Sequence, residues 1–204
     1  MHLSFLVVDD FYPDPHEVRK RALELDYPVQ PPPNIYHGRN SKGKVLFREV
    51  DDIVSRLVNE PVKGAMKTPH GNFRIGLAGD DEAATSDIHV DNAVYWSGII
   101  YLTLPEHCQG GTHLYRHRKL GTDQAPIFES DYKPLGYNSS FEASEEILAD
   151  SSKDPDQWEL LTTIPMRFNR LILLRPWLWH APGNSFGDKP ENGRLVHLLF
   201  FNRA

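Results

Sequence analysis

Cysteine is almost absent from this chain: Cys108 stands alone among 204 residues. No internal disulfide can form, so the fold must rest on its core, and a reducing compartment suits it. Long apolar runs are missing as well. The mostly apolar stretch from Leu3 to Val8 is stopped by Asp9-Asp10. It is shorter than the roughly 7–15 residues of a signal-peptide core and far short of the roughly 20 that span a bilayer. We therefore expect a cytoplasmic protein without a membrane partner. Basic charge is not in excess either, with 22 Lys and Arg against 28 Asp and Glu and a formal net charge of −6. That balance disfavours nucleic acid and anionic lipid as partners. The one basic stretch, Arg116-His117-Arg118-Lys119, reads as a solvated loop, with a phosphate site as the alternative. There is no internal repeat and no low-complexity tract.

What is present is ordinary for a globular protein: 40% hydrophobic and 25% charged residues. The length suits one domain over residues 1–204 with a sizeable core. Leu3 to Val8 reads as a buried strand. A turn through Pro13 follows, then a helix with Asp14 as N-cap and Pro15 as its first residue, where a missing N–H costs nothing. Val18, Ala22 and Leu25 recur at helical spacing. A proline-rich loop is expected around Pro31-Pro32-Pro33, and a second short helix from Asp51 to Asn59 with Ile53, Val54 and Leu57 turned inward. From Asn72 the pattern changes to strands: Phe73–Leu77, Tyr95–Leu104, Thr112–Tyr115, Arg170–Leu174 and Arg194–Phe201. Residues 121–158 differ, with free use of Asp and Glu, scattered aromatics and one helix near Ser144–Ala149. They read as an insertion able to fold over a barrel mouth. Helices first and short strands afterwards predict an α+β domain whose core is a double-stranded β-helix, or jelly roll, with the N-terminal helices on one sheet.

The chemistry concentrates at Ile88-His89-Val90-Asp91. In a strand, residues two apart share a face, so His89 and Asp91 would point the same way, about 6–7 Å apart. An imidazole and a carboxylate, joined by a second histidine from elsewhere, make the facial triad that leaves positions open on iron. A closed four-ligand shell would block oxygen chemistry. His180, at the end of Arg170-Leu-Ile-Leu-Leu-Arg-Pro-Trp-Leu-Trp-His180, is the third candidate, delivered by an apolar strand. Arg194 opens the strand Leu195–Phe201, which is apolar on both faces. A guanidinium there needs an anionic partner, and a carboxylate gripped at two points would serve.

This ordered set, His89-x-Asp91, His180 and then Arg194, resembles the Fe(II)/2-oxoglutarate-dependent oxygenases, above all their small prolyl-hydroxylase-like branch. Val7-Val8-Asp9-Asp10-Phe11, Ile100-Tyr101-Leu102 before Gly110-Gly111-Thr112, and Asn169-Arg170-Leu171-Ile172 before Trp179-His180 are similar to the family's flanking segments. Tyr115-Arg116-His117 after the Gly-Gly-Thr is similar to a bacterial group known only as a domain of unknown function. The likeness spans the chain apart from residues 121–158. It implies Fe(II) on His89, Asp91 and His180 as the catalytic centre. It also implies 2-oxoglutarate with its distal carboxylate on Arg194, and hydroxylation of a substrate by molecular oxygen with release of succinate and CO2. Where the family often carries Ser or Thr two residues after the arginine, this chain has Val196, and Tyr101 is the candidate to supply that polar contact. Halogenases of this kind replace the carboxylate ligand with a small residue; Asp91 is present, which favours hydroxylation.

Several residues have plainer readings. A lone histidine such as His89 is most often hydrogen-bonded, and Arg194 could be a structural ion-pair partner. Tyr101 could pack outside. His113 and His117 stand about 13 Å apart on a strand, too far to share an ion. His197 faces away from Arg194 and reads as a core histidine, His70 as a turn residue, and Trp96, Trp177 and Trp179 as core or pocket wall. Two rival functions remain: a cupin-like metalloenzyme that needs no oxo-acid, and a non-catalytic jelly roll that binds a small molecule. An amino acid, a peptide side chain or a natural-product intermediate would each suit as substrate, and oligomeric state is not legible.

Overall fold

The computed structural model describes residues 3–29, 37–83 and 88–204, so the loop expected at Pro31-Pro32-Pro33 lies outside the described residues. The chain mixes α and β structure, with two antiparallel sheets and few helices. It begins with β1 (Phe5–Val8) and α1 (Pro15–Leu23). Asp14 caps α1 by accepting a 3.1 Å hydrogen bond from the Glu17 N–H, and Pro15 takes the first turn. Then follow β2 (Arg39–Lys44), α2 (Val50–Val58), β3 (Val62–Gly64), β4 (Asn72–Gly76), β5 (Trp96–Tyr101) and β6 (Gly111–His117). The remainder comprises α3 (Glu129–Tyr132), α4 (Ser140–Ser151), β7 (Trp158–Pro165), β8 (Leu171–Leu174), β9 (His180–Pro182) and β10 (Arg194–Arg203).

The larger sheet runs β1-β8-β5-β10-β4-β2, with β3 also on β10; the smaller runs β7-β6-β9. The two-residue alternation of β-strands divides the large sheet's side chains between two cores. Leu171 and Leu173 of β8, Trp96 and Ile100 of β5, and Leu195, Leu199 and Phe201 of β10 pack against Val18 and Ala22 of α1 and Val54 and Val58 of α2. Their strand neighbours Ile172, Leu174, Tyr101, Val196 and Leu198 face the other way, onto Leu114 and Ile164 of the small sheet. The functional residues lie on this second side. Each fully buried aliphatic side chain contributes about 1.5–3 kcal/mol, so both faces are energetically committed and a one-residue register slip is excluded.

Four expectations are corrected. The inward stripe of α2 is Val50, Val54 and Val58, one turn apart, and Ile53 and Leu57 sit half-buried beside it. Residues 88–91 are not a regular strand; His89 makes an isolated bridge to His180. His180 opens a strand of its own, β9, after a break at residues 175–179, rather than ending the apolar strand β8. The basic stretch also differs from a solvated loop in part. Arg116 and His117 belong to β6, and Arg116 pairs with Asp123 at 2.6 Å.

Two segments far apart in sequence close the sheet edge. β1 pairs with β8 so that Val7 faces Ile172 and Val8 faces Leu171. Beside them Asn169, in the left-handed region at φ 62°, exchanges hydrogen bonds with the Tyr12 backbone at 2.8 and 2.9 Å. Arg170 grips Asp9 through two nitrogens at 2.6 and 3.0 Å.

Candidate metal centre

His89 and His180 are brought together by backbone pairing. The His89 N–H donates to the His180 carbonyl at 2.9 Å and the His180 N–H returns a bond of 3.1 Å. Such a reciprocal pair sets two residues directly opposite, Cα atoms about 5.5 Å apart, with side chains on one face. The imidazole centroids are accordingly 4.4 Å apart. β9 is held in turn by β6, where Leu114 pairs with His180. The Asp91 N–H donates to the Pro176 carbonyl at 2.9 Å, which fixes the third residue.

The donor atoms of His89, Asp91 and His180 all lie within 4.8 Å of one another, and among the described residues they are the one such group. Nε2 of His180 is 3.5 Å from Oδ2 of Asp91, and Nε2 of His89 is 3.9 Å from Oδ1. Three donors about 2.1 Å from one ion stand about 3.0–3.4 Å apart, so small side-chain rotations would close them on a metal. Nδ1 of His180 lies 2.8 Å from the Leu178 carbonyl. That contact requires Nδ1 to carry the proton and leaves Nε2 facing the centre, the outer hydrogen bond that orients metal-binding histidines. Ser97, on the inward face of β5, donates a 2.6 Å bond to Oδ2 of Asp91. Burial by itself would raise the Asp91 pKa. The hydrogen bond and charge of His180, with His89 and Ser97, overcome it and hold the carboxyl well below its ordinary range. Burial likewise disfavours charge on His180, and Asp91 reverses that and raises its pKa. The group is thus two imidazoles around an ionised carboxylate, a donor set suited to a first-row metal such as iron.

A cavity leads inward from this group, lined by Ser97, Ile99, Thr112, Val196 and Leu198, with Arg194 as well. Arg194 is buried, its Nε has no hydrogen-bond partner, and no carboxylate among the described residues lies within ion-pair distance of it. Burial lowers its pKa, opposed by Tyr101 and Asp81, yet a guanidinium stays charged in proteins. Tyr101 faces inward, pairs in register with Val196, and shares a 2.6 Å hydrogen bond with the Thr112 hydroxyl. Its ring centroid is 5.8 Å from the Arg194 guanidinium carbon.

Other histidines have local partners. His197 lies on the opposite face from Arg194, with Tyr12 Oη 2.7 Å from Nδ1, the Val45 carbonyl 3.0 Å from Nε2, and Phe73 stacked at 4.3 Å. His70 is buried and its Nδ1 accepts the Phe200 N–H at 2.9 Å. His113 meets Thr163, and His117 accepts the Leu120 N–H. Trp96 and Trp179 are buried. Sequence reasoning missed Ser97, Thr112 and Arg74. Arg74 interrupts the apolar strand Phe73-Arg74-Ile75, the same kind of signal that singles out Arg194.

No helix among the described residues is long and apolar enough to cross a membrane. No curated protein matches the chain. Among solved structures it is similar to HygX from Streptomyces hygroscopicus with nickel and 2-oxoglutarate bound. That match has 15% identity and a TM-score of 0.48, over 98% of this chain and 83% of that one. A second structure, HygX from the same organism with iron bound, is 14% identical with a TM-score of 0.41 over the same shares of both chains. Residues 2–201 match the model of the Family of unknown function (DUF6445), and the chain belongs to that family.

Proposed function

We propose that the protein is an Fe(II)- and 2-oxoglutarate-dependent oxygenase that hydroxylates a small molecule or an amino-acid or peptide side chain. The carrying observation is the convergence of His89, Asp91 and His180 at the head of a cavity that also contains the buried Arg194. In this reading the two-sheet core is a double-stranded β-helix and the triad sits at its mouth. When bound, ferrous iron would activate molecular oxygen, one atom going into 2-oxoglutarate as it becomes succinate and CO2 and the other into the substrate.

The chain's own residues supply placement and electrostatics. His89, Asp91 and His180 hold the ion from one side and leave the opposite flank bare. Ser97 holds the Asp91 carboxylate in orientation. Arg194 receives the distal carboxylate, which would satisfy its orphaned Nε. The Tyr101 hydroxyl, aligned by Thr112, takes the place of the polar residue that Val196 does not provide. Ile99, Leu198 and Phe200 exclude water around the reacting groups. Residues 121–158 act as a lid over this mouth, and a 3.2 Å bond from Asn92 Nδ2 to Glu145 Oε1 links α4 to the segment carrying Asp91.

The inner cavity is narrow, about 50 Å³, room for a few waters. A keto-diacid therefore enters only as lining side chains such as Leu198 and Phe200 turn aside. That narrowness favours the rival reading to this extent: a metalloenzyme without an oxo-acid would need no such movement. Anaerobic titration with Fe(II) and then 2-oxoglutarate separates the two. The visible charge-transfer band of the chelate is expected, and a protein that binds iron but never develops the band is not a 2-oxoglutarate enzyme.

A further inference from the structure

Between β8 and β9 the chain turns at residues 175–178, and this turn touches two of the three residues of the metal group. The Pro176 carbonyl accepts the Asp91 N–H at 2.9 Å, and the Leu178 carbonyl lies 2.8 Å from Nδ1 of His180. The Leu178 N–H closes the turn on the Arg175 carbonyl at 3.1 Å. We propose that Arg175 is the positioning residue of this centre, its buried guanidinium locking the turn so that Asp91 and His180 are held ready for a metal. The inference rests on reading His89, Asp91 and His180 as metal ligands; the lock on the Asp91 backbone does not depend on it.

Arg175 follows directly on β8 and is buried. Its guanidinium carbon stands 3.8 Å from the Trp96 ring centroid, 4.4 Å from that of Tyr95 and 5.5 Å from that of Trp177. Nη2 pairs with Glu60 Oε1 at 2.5 Å, and Nε donates to the Leu3 carbonyl at 3.0 Å. The Arg175 N–H adds a 2.8 Å bond to the Ser4 carbonyl. One residue thus ties the turn to the segment after α2, to the start of β1 and to the rings at the head of β5. Trp96 is followed at once by Ser97, whose hydroxyl backs Asp91, so the same clamp reaches the metal group from a second side.

Packing alone does not explain an arginine here. A buried ion pair is costly to desolvate, and an apolar side chain of equal volume is often at least as stabilising. What the planar fork adds is direction. Its donors and its flat face fix one orientation together, which neither leucine nor lysine can do. Burial opposes ionisation of Glu60, and the bond and charge of Arg175 overcome it and hold that carboxyl below its ordinary range. A guanidinium stays charged in proteins, so the contact is a full ion pair one residue before Pro176.

The test reads Ni(II) affinity by calorimetry and, in the metal-free whole protein, amide hydrogen exchange by NMR. The variants are Arg175→Met, Arg175→Lys and Glu60→Gln, the last at a partly exposed side chain and so the mildest to the fold. Arg175→Met is expected to weaken Ni(II) binding about tenfold or more, the scale on which support of metal ligands acts. Glu60→Gln should weaken it severalfold, and Arg175→Lys should recover part of the loss. In Arg175→Met and Glu60→Gln the Asp91 amide should exchange faster, by about tenfold in the first. The Leu102 amide, bonded to the Leu195 carbonyl at 2.9 Å, should keep its rate. Should Arg175→Met fail to fold, Glu60→Gln carries both measurements. Wild-type Ni(II) affinity and wild-type Asp91 exchange in these variants would overturn the proposal. Equal acceleration at Asp91 and Leu102 would overturn it too, because the arginine would then serve global stability alone. A wild-type protein that binds no Ni(II), while its variants show the selective change at Asp91, would sink the metal reading and leave the lock standing.

Discussion

Ser97 Oγ donates to Asp91 Oδ2 at 2.6 Å, across from the imidazole of His180, whose Nε2 is 3.5 Å from the same oxygen. The hydroxyl holds the carboxylate from behind while the metal-facing side stays free. Ser97→Ala should therefore lower metal affinity about 10–100-fold, the usual cost of losing an outer hydrogen bond to a ligand. Titration calorimetry with Ni(II) measures it, and unchanged affinity would show that Asp91 needs no such support.

His89→Ala removes one of the three donors and the imidazole that faces His180 at 4.4 Å. Iron-dependent conversion of 2-oxoglutarate to succinate should vanish in that variant. Succinate formed at the wild-type rate would exclude His89 from the metal shell.

Arg194→Gln keeps much of the volume and deletes the buried charge. Apparent 2-oxoglutarate affinity should fall about 30-fold or more, as expected when one partner of a buried charged pair is lost, with Ni(II) affinity unaltered. If the cofactor binds equally well, its distal carboxylate is held elsewhere.

His197 governs acid stability. Burial depresses its pKa from 6.5 to about 4, so between those values the unfolded chain binds more protons than the folded one. Its contribution is complete above about pH 6.5 and is lost as pH falls towards 4, in total roughly 3 kcal/mol. Urea midpoints measured across that window should drop less steeply in His197→Gln than in the wild type. Parallel pH profiles would assign the acid sensitivity to other groups.

Gly111 allows β6 and β7 to approach. A Cβ at this position would stand 2.0 Å from the Ile164 carbonyl oxygen, and backbone cannot yield as a flexible side chain can. Gly111→Ala should cost at least about 2–3 kcal/mol and should also weaken metal binding, because β6 carries β9 and hence His180. A variant with wild-type melting temperature and metal affinity would show that the strands can part without cost.

Much of the architecture was legible because periodicity is a local property. The near-continuous apolar runs Leu171–Leu174 and Leu195–Phe201 mark strands buried on both faces, and Asp14-Pro15 marks the start of α1. β2 was invisible because Arg39–Lys44 contains no apolar residue; at the sheet edge its backbone pairs while charged side chains remain half in solvent. β9 was missed because three residues carry too little pattern to read. The α2 face was misjudged because valines and the larger Ile53 and Leu57 alternate around the helix, and only packing chooses between two adjacent stripes.

The sequence by itself determined the donor types at positions 89, 91, 180 and 194, and that His197 would lie on the opposite strand face from Arg194, since chemistry and two-residue alternation are written locally. Tertiary structure alone decided that His89 and His180 exchange backbone bonds, that Ser97 backs Asp91, and that Arg74 borders the cavity beside them. The reason is physical: a strand's pattern states which way each side chain points, but its partner is chosen by whole-chain packing of the two sheets.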